Sequence, residues 1–209
     1  IINDRIAKLK KDLGQVKKTR DIQKRSRERV PFPIVSLVGY TNAGKSTLFN
    51  KLTGADVFAE DLLFATLDPT MRKLELTNGV EVVLSDTVGF IADLPTHLVA
   101  AFRATLEQVQ QADIILHVRD ISRPGHKSQN EDVVKMLEDL GIEYEQDNRI
   151  IEVYNKIDNL PEDDKTDILR KAGFQNNVVA VSALTGEGLK TLVDQIEAML
   201  STGLLVVNF

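Results

Sequence analysis

The chain has 209 residues, 43% of them hydrophobic and 27% charged, which allows one ordinary domain with an appendage and excludes a disordered or collagen-like polymer. It has no cysteine and three histidines, so a disulfide framework, a thiolate zinc site and a cysteine nucleophile are excluded, and His97, His117 and His126 are too scattered for a histidine-rich metal centre. The net charge of −5 is uneven: residues 1–30 carry eleven Lys/Arg against four Asp/Glu, a balance of +7, and the remainder carries −12, a basic arm on an acidic body that points to a polyanionic partner.

The arm reads as one helix. Ile2, Ile6, Leu9, Leu13 and Val16 recur at alternating spacings of four and three, an apolar seam of the heptad kind. Beyond Val16 the seam thins and Lys17, Lys18, Arg20, Lys24, Arg25, Arg27 and Arg29 dominate. Pro31 and Pro33 end the helix and open an extended segment. The apolar run Ile34–Val38 predicts a strand, Gly39–Ser46 a glycine-bearing loop, and Lys45–Leu52 a helix ending near Gly54. Met71–Leu76 and Val80–Leu84 flank Asn78-Gly79, a strong hairpin signal. Ala112–Val118, Arg149–Tyr154 and Val178–Val181 read as strands rich in branched residues, and Thr96–Gln111, Gln129–Leu140, Asp163–Ala172 and Leu189–Leu200 as helices. Such alternation implies crossover units and a mostly parallel sheet covered on both faces.

Four short motifs stand at the ends of predicted strands. Gly39-Tyr40-Thr41-Asn42-Ala43-Gly44-Lys45-Ser46, followed by Thr47, fits G-x-x-x-x-G-K-[ST] between a strand and a helix, the place where backbone N–H groups can cradle phosphates. Lys45 supplies charge to the β- and γ-phosphates and the Ser46 hydroxyl a ligand for Mg²⁺. Asp86-Thr87-Val88-Gly89 follows the strand through Leu84: Asp86 can hold Mg²⁺ through water, and Gly89 can present its N–H to the γ-phosphate. Asn155-Lys156-Ile157-Asp158 ends another strand. A carboxylate there accepts hydrogen bonds from guanine N1–H and its exocyclic amine, a pair that adenine lacks on that edge. Asp158 is thus the specificity residue, with Asn155 supporting the loop and the Lys156 stem covering the base. Ser182-Ala183-Leu184, at the next strand end, fits a loop whose backbone N–H meets the guanine oxygen. Alone, D-x-x-G is a sequence that occurs often by chance, Asn155-Lys156-Ile157-Asp158 reads as an ordinary polar turn, and the Ser182 triplet says almost nothing; the order and spacing of the four motifs are those of the GTPase fold.

A fifth motif belongs between the first two, where the chain offers Phe64-Ala65-Thr66-Leu67-Asp68-Pro69-Thr70. Thr66 and Thr70 compete to complete the Mg²⁺ shell when γ-phosphate is present. Thr66 is preferred, because Thr70 abuts the following strand. The expected catalytic set is therefore Lys45, Thr66 and Gly89. Phe90 stands where many GTPases place a water-orienting glutamine, and no Lys or Arg occurs between Lys51 and Arg72. Both absences predict slow turnover that something external must raise.

Asn42 within Gly39–Thr47, Phe64–Thr70, Asp86-Thr87-Val88-Gly89-Phe90-Ile91 and Leu94-Pro95, Ala101-Phe102 and Thr105-Leu106 together resemble the HflX family of GTPases. The resemblance covers nearly all of residues 34–200, and residues 1–30 resemble the second half of the helical hairpin before that family's G domain. It implies a ribosome-associated GTPase that binds the large subunit and its RNA and can split ribosomes under stress. It also matches Asn42 to an asparagine that ligates K⁺ in some similar GTPases; the other reading is that Asn42 tolerates the backbone geometry of its loop.

The expected architecture is an α/β P-loop NTPase of the Ras-like kind, a mostly parallel six-stranded sheet over residues 34–200, with a basic helical arm at 1–30 and a short tail at 201–209. The expected function is Mg²⁺-dependent GTP hydrolysis as a switch, with GTP and GDP as ligands. The alternatives are a non-catalytic GTP/GDP sensor and an RNA-associated general NTPase. The basic face of residues 17–29 meets RNA phosphates or is a solvated helix face. The Ile2–Val16 seam packs on a missing helix or, exposed, self-associates or binds a neighbour. His117 reads as a satisfied core residue, and Glu162-Asp163-Asp164 as acidic residues favouring a helix N-terminus. No apolar run reaches the roughly 18–20 residues of a membrane span and no signal peptide is recognisable, so the expected location is cytoplasmic. The chain opens on Ile1 rather than Met and reads as a piece of a longer protein.

Overall fold

A computed structural model of the chain describes residues 32–54, 70–86 and 108–206, with side chains as far as residue 202. The expected arm at 1–30, Thr66, Gly89, Phe90 and most of the helix expected at Thr96–Gln111 lie outside the described residues, although residues 108–111 are helical.

Six strands alternate with four helices among the described residues. They run β1 (Ile34–Val38), α1 (Lys45–Thr53), β2 (Thr70–Glu75), β3 (Glu81–Asp86), β4 (Ile114–Asp120), α2 (His126–Asp139), β5 (Ile150–Asn155), α3 (Glu162–Gly173), β6 (Val178–Ala180) and α4 (Leu189–Val206). A single 3₁₀ turn, Ile157–Asn159, follows β5. The strands form one sheet in the order β2-β3-β1-β4-β5-β6. Every neighbouring pair is parallel except the β2–β3 hairpin. That hairpin turns at Asn78-Gly79, where Gly79 has φ 79° and the Asn78 side chain accepts the Val80 N–H at 3.0 Å.

Alternation along β5 shows how both faces are covered. Ile151 and Val153 join a core with Val35, Leu37 and Leu116, capped by Leu48 and Phe49 of α1 and Leu192 and Ile196 of α4. Ile150 packs instead with Ile115 and with Val133 and Leu137 of α2, and Tyr154 packs beside Ala172 of α3. Glu162, Asp163 and Asp164 occupy the first turn of α3, and Arg170 and Lys171 its last, complementing the helix dipole at both ends. No described helix is long and apolar enough to cross a membrane.

Most boundaries shift by a residue or two from the sequence expectation, and three of the differences have a plain outline. β4 begins at Ile114 rather than Ala112, since the Asp113 carboxylate turns aside to accept the Ile34 N–H at 2.9 Å. α2 begins at His126, three residues before Gln129, behind Gly125 in the left-handed region. α4 runs to Val206, six residues past the expected end.

His117 is a core residue, as its place in an apolar strand predicts. It is 1% exposed, and its Nδ1 lies 2.6 Å from the Tyr144 hydroxyl. Burial first, then the nearby Arg119 and Lys45 charges, push its pKa down to about 3. The folded ring is therefore neutral where an unfolded histidine, near pKa 6.5, binds a proton. Stability from this site is fully present above about pH 6.5 and falls as pH drops toward 3. At pH 5 the loss amounts to about 2 kcal/mol relative to pH 7. His117→Asn keeps a polar partner for Tyr144 and cannot titrate, so its urea unfolding free energy should lose about that much less between pH 7 and pH 5. Identical pH dependence of the two proteins would remove this account.

Candidate nucleotide site

The sheet order reverses at β1: the chain moves to β2 and β3 on one side and then returns to β4 on the other. Open α/β sheets bind ligands outside the carboxyl ends of their strands at such a point. Register aligns those ends, with Leu37 opposite Asp86, Val38 opposite His117 and Asp120 opposite Asn155. Asp86 at the end of β3 and the loops carrying the other three motifs therefore meet along one edge.

The loop after β1 cannot be built without its glycines. Gly39 has φ 152°, and a Cβ there would lie 2.2 Å from the Val118 carbonyl oxygen; Gly44 has φ 94°, and a Cβ there would lie 2.3 Å from Asn155 Nδ2. Asn42 also adopts the left-handed region, at φ 60°. Asparagine tolerates that conformation better than most side chains, so the backbone alone accounts for this residue. Lys45 opens α1 and is 6% exposed. Its ammonium reaches back to the carbonyls of Gly39 at 3.2 Å and Tyr40 at 2.9 Å. Burial pulls its pKa down to about 8, opposed by the Asp86 carboxylate. A buried cation beside a ring of backbone groups is suited to anionic oxygens.

Ser46 Oγ donates to Asp86 Oδ2 at 2.7 Å, bringing the first and second motifs into contact. A hydroxyl and a carboxylate are hard oxygen donors of the type Mg²⁺ takes, and this pair fits that ion. Thr70, the alternative to Thr66, is fixed in β2 directly opposite Asp86 in the hairpin register.

Asn155 is 1% exposed and bridges two loops. Its Nδ2 donates to the Ala43 carbonyl at 2.9 Å, and its Oδ1 accepts the Ala183 N–H at 3.0 Å. Lys156, at φ 66°, lays its stem near Gly44 and donates from Nζ to the Asn42 carbonyl at 2.8 Å. Asp158 sits in the 3₁₀ turn, and its Oδ1 is buried with no hydrogen bond from any described residue. Ser182 folds its own loop: its Oγ accepts the Thr185 N–H at 3.1 Å and its carbonyl the Gly186 N–H at 2.8 Å. Leu184 next to it is 71% exposed.

The structure thus brings together Gly39, Ala43, Gly44, Lys45, Ser46, Asp86, Asn155, Lys156 and Ala183. Thr41 and Thr47 occupy the loop and the first turn of α1. Sequence reasoning passed over Asp120, whose carboxylate lies 2.9 Å from the Lys156 ammonium. The available signal was an Asp two residues before Ser122 at a strand end, a common turn former.

Residues 34–156 match the family model described as 50S ribosome-binding GTPase, and residues 167–208 match the HflX C-terminal domain. The chain belongs to the HflX family of GTPases. It is 48% identical over 205 residues to GTPase HflX of Magnetococcus marinus, an alignment covering 98% of this chain and 46% of that protein. It is 44% identical over 201 residues to GTPase HflX of Escherichia coli K12, with 96% and 46% covered. This HflX-family chain therefore spans less than half the length of these relatives. Among solved structures, a GTP-binding protein of Sulfolobus solfataricus in complex with GDP superposes with a TM-score of 0.61 and 28% identity, covering 96% of this chain and 58% of that one.

Proposed function

We propose that this chain is the nucleotide-handling part of a Mg²⁺-dependent GTPase switch that works in the cytoplasm on the large ribosomal subunit. The observation that carries the choice of base is the buried Asp158 oxygen without a donor among the described residues, beside a phosphate loop closed by Lys45, Lys156 and Asn155. A buried unpaired carboxylate oxygen is costly, and guanine N1–H and its exocyclic amine offer the matching donors. The Ala183 N–H is spent on Asn155, so the exposed turn at Leu184 is the part of Ser182-Ala183-Leu184 left to face the guanine oxygen.

In this reading the loop amides and Lys45 hold the β- and γ-phosphates and stabilise charge as the β–γ bond opens. Ser46 would hold Mg²⁺ directly and Asp86 through water, with Thr66 the further ligand that the sequence offers. Bound magnesium supplies neutralisation of the phosphate charge. Gly89 donates its N–H to the γ-phosphate. The basic residues of 1–30, set before the G domain at 34–200, are the part suited to ribosomal RNA phosphates. The family description of residues 34–156 supports the large subunit as partner.

The decisive experiment is hydrolysis of GTP and of ATP by the full-length protein, with and without large ribosomal subunits. Slow GTP turnover that rises at least tenfold on adding subunits, with ATP left nearly intact, is the expected result. Equal use of ATP, or no turnover in any mixture, overturns the proposal in favour of a general NTPase or a sensor.

A further inference from the structure

The bonds from Lys156 and Asn155 to the phosphate loop belong to the site as described, but they leave one buried charge unused. Asp120 ends β4, in register with Asn155 across the β4–β5 pair, which brings its side chain alongside the next residue, Lys156. Its side chain is 3% exposed. The two carboxylate oxygens divide their work. Oδ1 accepts the Ser122 N–H at 3.1 Å and the Ser122 hydroxyl at 2.6 Å, forming the turn after β4. Oδ2 lies 2.9 Å from Lys156 Nζ. Arg123 approaches the same oxygen at 3.3 Å, but from a side chain that is 58% exposed, where water screens it.

Lys156 needs such an anchor. It stands in the left-handed region at φ 66°, which lysine rarely adopts, and its long stem has many rotamers to lose. One hydrogen bond to the Asn42 carbonyl restrains the ammonium from one side only. A buried anion on the opposing strand restrains it from a second side and fixes the stem over Gly44. We propose that Asp120 is a positioning residue of the nucleotide site: through its ion pair with Lys156 it holds that side chain on the phosphate loop and slows release of bound guanine nucleotide. This rests on the reading of the site as a guanine-nucleotide site.

The test is the dissociation rate of a fluorescent GDP analogue from the full chain, measured by chasing with unlabelled GDP. Asp120→Asn keeps the Oδ1 acceptor for the Ser122 turn and removes only the charge, and release should quicken about tenfold. Asp120→Ser, which also leaves a short acceptor for the turn, reads the same loss should the first variant fold poorly. In a Lys156→Met background, Asp120→Asn should change release less than about twofold, because the pair is already broken. Ser122→Ala, which weakens the turn but spares the ion pair, should leave the rate near that of the unaltered chain. Unchanged release in Asp120→Asn, or an equal acceleration with and without Lys156, overturns the proposal. If the unaltered chain does not retain the GDP analogue at all, the nucleotide-site reading falls and this one falls with it; retention with no effect of Asp120 removes this one alone.

Discussion

Replacing Asp158 by Asn is expected to lower GTP affinity by about a hundredfold or more and to shift preference toward xanthine nucleotides. The buried Oδ1 faces no protein donor among the described residues, so its partners come from the base. Asparagine turns one acceptor into an N–H donor, which then meets the donors of guanine. Two buried donors facing each other cost far more than a missing contact, because neither can reach water. Xanthine carries a carbonyl where guanine carries the amine, and the amide donor fits it. Competition of GTP and XTP for a fluorescent guanine nucleotide reads the change directly. A variant that still prefers GTP as strongly as the unaltered chain would show that Asp158 does not read the base.

Lys45→Met is expected to reduce GTP turnover by about a hundred- to a thousandfold, with a smaller loss of nucleotide affinity. Methionine keeps the length and apolar stem of the lysine, so the start of α1 can still pack beside Leu48 and Phe49. What disappears is a cation that is 6% exposed and bonded to the carbonyls of Gly39 and Tyr40. Burial has already drawn its pKa down to about 8, so the surrounding protein solvates this charge poorly and phosphate oxygens are favourable company for it. Charge builds on those oxygens as the β–γ bond breaks, and for that reason the loss falls mainly on kcat. The loop should survive, since Asn155 and Lys156 still tie Ala43 and Asn42 to β5. Turnover within about threefold of the unaltered chain would remove Lys45 from the catalytic set.

Much of the site was legible because its signals are local. The phosphate loop announces itself by glycines at a set spacing between an apolar run and a helix, and Gly39 and Gly44 do stand where a Cβ would strike Val118 and Asn155. Asn78-Gly79 specified its hairpin because two adjacent residues supply the turn. Helix starts were harder: α2 opens at His126 behind a left-handed Gly125, a glycine start that lacks the side-chain cap by which sequence reading finds a helix N-terminus.

By itself, then, the order of residues determined the alternation of strands and helices, the family and the chemical character of each motif, since these depend on neighbours within a few positions. The tertiary structure decided which motifs touch. Ser46 meets Asp86 across 40 residues, Asn155 reaches Ala43 across 112, and Asp120 finds Lys156 only because β4 and β5 pair with Asp120 opposite Asn155. A shift of one residue in that pairing would turn every side chain of a strand to the other face. Register is set by the burial of two whole cores at once, which no short stretch of sequence contains.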